Sequence, residues 1–308
     1  MAAPLKCRGN RSNGITLGLL NPLGLMLFVT LGAAPLIKSP VLAKGQFSSS
    51  TTGVEVYASV TDASGKPVRG LSQSDFEVTE DGVPQRVSAF VAGDFPLRVA
   101  VALDSSFSMA GEQLRAAKTA ARTFLSALRP ADESIVLAIG SEVTTIAGAS
   151  DSRAAQSRAV DALDAWGRTK LNDAIIESIG ATDGARGRRA VVILSDGDER
   201  DSSASAADVV DRARRSNVMI YPVAIGRARP PLFAELSTAT GGRSFFARDL
   251  RTLDSTMRTI AEELGQQYLL GYSPTRALVA GSDEWRSITV RVKRPGLSLR
   301  ARDGYYVK

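Results

Sequence analysis

The chain has 308 residues, enough for one large domain or one domain with a small companion, and its 44% hydrophobic and 23% charged residues are those of an ordinary globular protein. It contains no histidine, which excludes Ser-His-Asp and Cys-His catalysis and any His-ligated zinc. Its net charge of +6 is mostly carried by the first 43 residues: without them 34 basic residues face 32 acidic ones, a net +2, so a nucleic-acid partner, which is not expected, loses most of its electrostatic support.

Those first residues have their own layout. Lys6, Arg8 and Arg11 form a basic leader, an apolar run extends from Ile15 to Ile37, and "VLA" at 41–43 offers small residues for cleavage. This is the pattern of a secretory signal peptide over 1–43, with an uncleaved membrane anchor as the alternative. Either way the basic leader stays inside and the chain after Lys44 is exported, to the periplasm, cell envelope or exterior. The single cysteine, Cys7, lies in this segment, so the mature chain relies on its core and not on disulfides.

Residues 44–53, "KGQFSSSTTG", read as a polar linker. Alternating Val54, Val56, Ala58 and Val60, with turn signals at Ser64-Gly65-Lys66-Pro67 and Glu80-Asp81-Gly82, predict a small all-β segment over 54–94. It cannot bury a sheet face alone, so it needs a partner.

From Leu97 the period changes. "LRVAVAL", "SIVLAIGS" (134–141), "AVVILS" (190–195) and "VMIYPVAI" (218–225) are continuous apolar strands, with "VTTIAG" (143–148) and "RSFFA" (243–247) as shorter ones. Helical spacing falls between them, over about 114–128, 152–165, 172–183, 204–216, 230–240 and 252–267. Apolar strands alternating with amphipathic helices predict an α/β domain over 95–267, built on a doubly wound, mostly parallel sheet. Strand patterns return over 268–308, with Pro295-Gly296 as a turn; this segment is expected to complete a small β-sandwich-like domain with 54–94. Arg291, Lys293, Arg300 and Arg302 alternate with apolar or small residues and read as a solvated strand face.

Ligands bind doubly wound sheets at the carboxyl ends of the strands. "LDSSFS" places Asp104, Ser106 and Ser108 after the first such strand; "GRTKLNDA" (167–174) supplies Thr169 before a helix; "ILSDGDER" (193–200) supplies Asp196 after another strand. Singly, each has a structural explanation: the serines and Thr169 as helix caps, Ser195-Asp196-Gly197 as a turn. Together they offer two carboxylates and three hydroxyls, hard oxygen donors suited to Mg²⁺, Mn²⁺ or Ca²⁺. An EF-hand beginning at Asp196 would need Gly at Asp201 and Glu at Ala207, and no phosphate-cradling GxxxxGK[ST] precedes a helix. A phosphotransfer enzyme or hydrolase built on Asp104 would want a second acid and a lysine nearby, where hydroxyls stand instead, so no enzyme activity and no catalytic residue are expected.

DxSxS, then Thr in GxTxLxDA, then SDG, resembles the metal-ion-dependent adhesion site of the von Willebrand factor A domain, over about Leu97 to Gln267. The flanking segments resemble a bacterial exported subgroup, the VWFA-related proteins common in acidobacteria. The resemblance implies that Ser106 and Ser108 hold the ion directly, that Thr169 joins in one state, and that Asp104 and Asp196 act through water or hydrogen bonds. It also implies a protein ligand that offers an acidic side chain to the metal, with Mg²⁺ the leading cofactor. Arg168 stands where the family often has glycine, and Asp198, Glu199 and Asp201 have no assigned role. The competing function is a structural envelope protein whose ion serves only stability.

Overall fold

The structure is a computed structural model that describes residues 53–307 except 94, 186 and 227; the signal or anchor expected over 1–43 and the linker after it lie outside the described residues. The described residues form one compact unit.

Its centre is a six-stranded sheet of β5 (Leu97–Asp104), β6 (Glu133–Ile139), β7 (Val143–Ala147), β8 (Arg188–Ser195), β9 (Met219–Ile225) and β10 (Phe245–Ala247), in the order β10-β9-β8-β5-β6-β7. All neighbours are parallel except β7, which runs back antiparallel along β6 because only a short turn separates the two. Successive side chains leave a strand on opposite faces, and here both faces are covered. Val99, Val101 and Leu103 pack against α1 (Glu112–Ala127), α2 (Arg153–Asp161) and α6 (Leu253–Gly265). Ala100 and Ala102 pack against α3 (Leu171–Ala181), α4 (Ala206–Arg215) and α5 (Pro231–Thr240). This double coverage is why β5, β8 and β9 read as unbroken apolar runs. The molecule is a doubly wound α/β fold.

The flanks pair with each other. β1 (Val54–Thr61) runs antiparallel to β11 (Gln267–Tyr272), and β11 also pairs with β4 (Val87–Ala92). β2 (Phe76–Glu80) pairs with β3 (Val83–Gln85) and with β12 (Trp285–Val292). With β13 (Ser298–Arg300) and β14 (Gly304–Tyr306) they make two four-stranded sheets, β13-β1-β11-β4 and β14-β12-β2-β3, each built from both flanks. Val54, Val56, Ala58 and Val60 face the sandwich interior with Tyr268, Leu270 and Tyr272. The opposite face of the same sheet sends Tyr57 and Leu269 into the α/β core. The junction lies at the amino ends of the parallel strands, where buried Arg188 donates to the carbonyls of Phe95 and Leu264 and to Gln267. Burial pushes the Arg188 guanidinium down to about 10.

Three expectations change. Helix α2 stops at Asp161, not near 165, because the freed Leu163 carbonyl accepts from Lys118 and the Trp166 N–H donates to the Ser105 carbonyl at 2.8 Å. The chain thereby leaves the helix to cross the strand ends. "SLRARDGYYV" is two strands, bent at Asp303, whose N–H donates to the Ala239 carbonyl. Arg300 and Arg302 do not lie on a solvated face: Arg300 pairs with buried Glu263 at 2.5 Å, and Arg302 donates to the Glu55 carbonyl at 2.8 Å. Only Arg291 and Lys293 of that set are exposed.

Candidate metal centre

Asp104 is the last residue of β5 and is fully buried. Its Oδ1 accepts from the Ser106 N–H at 2.9 Å and its Oδ2 from the Ser195 hydroxyl at 2.6 Å. Ser195, at the end of β8, also accepts from the Gly197 N–H at 2.9 Å. The carboxyl ends of two adjacent strands are thus held together through one carboxylate. Burial raises the Asp104 pKa above the ordinary carboxylate range; hydrogen bonds from Ser106 and Ser195 oppose this, and the nearby charge of Asp196 adds to it. A buried carboxyl group facing a second acid makes a site short of positive charge.

The loop after Asp104 is pinned at each residue. Ser105 donates through both its N–H and its hydroxyl to the Ile139 carbonyl, at 2.9 and 3.0 Å, which ties it to the end of β6. Ser106 then opens a 3-10 turn, Phe107–Met109, in which Met109 is fully buried and Phe107 and Ser108 stay exposed. The hydroxyls of Ser106 and Ser108 lie 3.0 Å apart. Neither caps α1, whose N-cap is Gly111. Nor does Thr169 cap α3: the N-cap is Lys170, and the Asn172 N–H donates instead to the Glu199 carboxylate at 2.8 Å. Among the described residues, then, none of the three hydroxyls caps a helix.

Thr169 is buried, and its hydroxyl has no hydrogen-bond partner among the described residues. Its carbonyl accepts from the N–H groups of Arg200 and Asp201 at 3.1 and 3.2 Å, which joins its loop to the one carrying Asp196. The same loop meets the first through Phe107 N–H to Gly167 carbonyl, at 3.1 Å. Asp196 is half-buried and accepts from the Asp198 N–H at 3.0 Å. Gly197 has φ +80°, and a Cβ there would lie 2.0 Å from Pro230 Cγ, so only glycine lets the loops seat together.

The unassigned acids of this loop now have partners. Glu199 accepts from Asn172, Asp201 and Ser202 N–H groups and holds the loop's shape. Asp198 pairs with Arg200 at 2.6 Å, and Asp201 with Arg168 at 3.4 Å. Arg168 is 66% exposed, so its charge is directed to solvent beside the site. Ser195 is the contributor that motif reading passed over; its signal was the serine immediately before Asp196 at the end of an apolar strand. Among the described residues no group of three or more acidic, histidine or cysteine side chains gathers as a metal cluster; the donors here are two carboxylates and hydroxyls.

A family model described as the von Willebrand factor type A domain matches residues 99–259, just over half of the chain. The chain belongs to the von Willebrand factor type A domain family. Domains of this family are generally protein-interaction modules and often hold a divalent cation at the adhesion site. Among solved structures it is similar to a von Willebrand factor type A protein from Catenulispora acidiphila, with 17% identity, TM-score 0.52, and 85% of this chain and 74% of that one covered. It is also similar to the conserved hypothetical protein BatB from Bacteroides thetaiotaomicron (14% identity, TM-score 0.46, 55% and 98% covered). A third similarity is to the vWF domain of the type V pili tip protein Mfa5 from Porphyromonas gingivalis (10% identity, TM-score 0.48, 56% and 96% covered). The likeness to the Catenulispora acidiphila protein, at 17% identity, shows the fold alone. No curated protein matches the chain.

Proposed function

We propose that this von Willebrand factor A protein is an exported, divalent-metal-dependent binding module, and that Asp104, Ser106, Ser108, Thr169 and Asp196 form its metal-ion-dependent adhesion site. The observation that carries the reading is Asp104: a fully buried carboxylate, raised by burial and by Asp196, beside two hydroxyls that cap nothing. Oxygen donors of this kind suit Mg²⁺, with Mn²⁺ and Ca²⁺ as alternatives. When bound, the cation supplies an electrophilic position for a carboxylate from a protein partner. The chain's own residues do the rest. Ser106 and Ser108 present their hydroxyls from one short turn, Ser195 orients the Asp104 carboxylate, and the Thr169 hydroxyl is free to engage. The preformed loops leave little to order on binding, which favours affinity. The basic leader and apolar run support export, and the flanking segments support membership of the VWFA-related subgroup.

Isothermal titration of Mg²⁺ and Mn²⁺ into wild type and Asp104→Ala tests the site. Binding is expected in wild type and lost in the variant; equal affinities in the two would overturn the assignment. Thr169→Ala should retain Mg²⁺ binding better than Asp104→Ala, because it removes a neutral donor and not a charge.

A further inference from the structure

Resting on that reading, a second feature of the same rim defines the partner more closely. Pro230 packs against Gly197, the neighbour of Asp196, so the loop from β9 to α5 forms one wall of the candidate site. Arg229 precedes Pro230, and Arg248 follows β10, whose end is tied to that loop by the Gly226 N–H on the Ala247 carbonyl at 3.2 Å. Both guanidiniums lie over one ring, Phe246, with their carbons 5.7 and 5.5 Å from its centroid. Both residues are exposed, and neither has a carboxylate partner among the described residues. Stacking fixes a guanidinium's plane while leaving its N–H edge free for an anion. Arg229 also lines a groove of about 510 Å³ with Arg243, Arg300, Arg302 and Asp303, in which Arg243 and Arg300 already pair with Glu263 and so leave Arg229 as the exposed cation.

On the opposite rim stand Phe107, 67% exposed, and Trp166, 50% exposed. They are the exposed large aromatic side chains among the described residues, and both ride on loops that carry candidate metal donors. Apolar rings on one side and unpaired guanidiniums on the other are the complement of an extended segment, not of a single carboxylate.

We infer that the partner is an acidic, extended protein segment with at least two carboxylates: one for the cation, and a second held between Arg229 and Arg248 on Phe246, with an apolar side chain of the segment against Phe107 and Trp166. Arg229 and Arg248 form a second anion subsite that sets specificity without touching the metal.

The test is an array of random 12-residue peptides probed with the protein in Mg²⁺. Wild type is expected to retain peptides with two acidic residues separated by intervening positions. Arg229→Gln/Arg248→Gln is expected to bind those peptides about tenfold more weakly or worse, the scale of losing a charge-assisted hydrogen bond. It should bind single-acid peptides as wild type does, with an unchanged Mg²⁺ titration. Retention of two-acid peptides with wild-type affinity by the double variant would overturn the inference, as would a wild-type selection with only single-acid peptides or with none. Failure of the metal assignment is read separately: Mg²⁺ affinity would be unaffected by Asp104→Ala, while the array probed in EDTA would still report any arginine-dependent selection.

Discussion

Arg286→Met should be among the most damaging single changes in the β-sandwich. Glu80 on β2 and Arg286 on β12 form an ion pair at 3.1 Å, with side chains 3% and 1% exposed. The other Glu80 oxygen accepts from the hydroxyls of Tyr272 and Tyr305, at 2.8 and 2.9 Å, so four strands drawn from both flanks meet at one carboxylate. Burial, with the carboxylate beside them, raises both phenol pKa values above the ordinary range, so they stay donors. Methionine keeps most of the arginine stem's volume but removes the charge. Glu80 then stays buried with two neutral donors and no counter-charge, and the carbonyls of Arg276 and Ala277 lose their arginine donors. The loss expected from stripping one partner of a buried pair is about 3–5 kcal/mol, a large share of the roughly 5–15 kcal/mol that holds a domain folded. Glu80→Gln leaves Arg286 with both carbonyls and with Glu284, and should cost only about 1–2 kcal/mol. The double variant relieves the stranded charge and should fall short of additivity by about 2 kcal/mol. Urea titration followed by circular dichroism measures all three, provided the slope is constant. A loss below about 1 kcal/mol for Arg286→Met, or strict additivity, would refute the buried-charge reasoning.

Phe124→Ala empties a fully buried position between α1 and the sheet and should cost about 3–5 kcal/mol in the same assay. Gly197→Ala meets both a positive φ and the Pro230 ring, so stability should fall by about 1–3 kcal/mol and Mg²⁺ affinity with it; an unchanged midpoint would contradict the contact. In the ion-free protein, the raised Asp104 pKa means that ionisation opposes folding at neutral pH, and that stability is regained as pH falls through the folded-state pKa. Asp104→Asn should therefore be more stable than wild type in EDTA at pH 7 and should lack that acid-side gain, as thermal melts across pH would show.

Much of the fold was legible because burial leaves a simple trace in sequence. Strands covered on both faces must be apolar at every position, which is why β5, β8 and β9 declared a doubly wound sheet before any contact was known. The need of each flank for a partner followed from its shortness, though not the register that joins Val54 to Tyr272. The candidate donors were legible as residue types at strand ends. Whether they cap helices was not, since a cap depends on where a helix starts, and the N-caps of α1 and α3 are Gly111 and Lys170 instead. Arg300 and Arg302 show the same limit: a strand's alternation names two faces but not which one meets another layer. Ser195 on Asp104, Pro230 against Gly197, and two arginines on Phe246 each join residues far apart in the chain. Local sequence determines what a segment can become; only the packing of distant segments decides which side chains share a charge, a hydrogen bond or a surface.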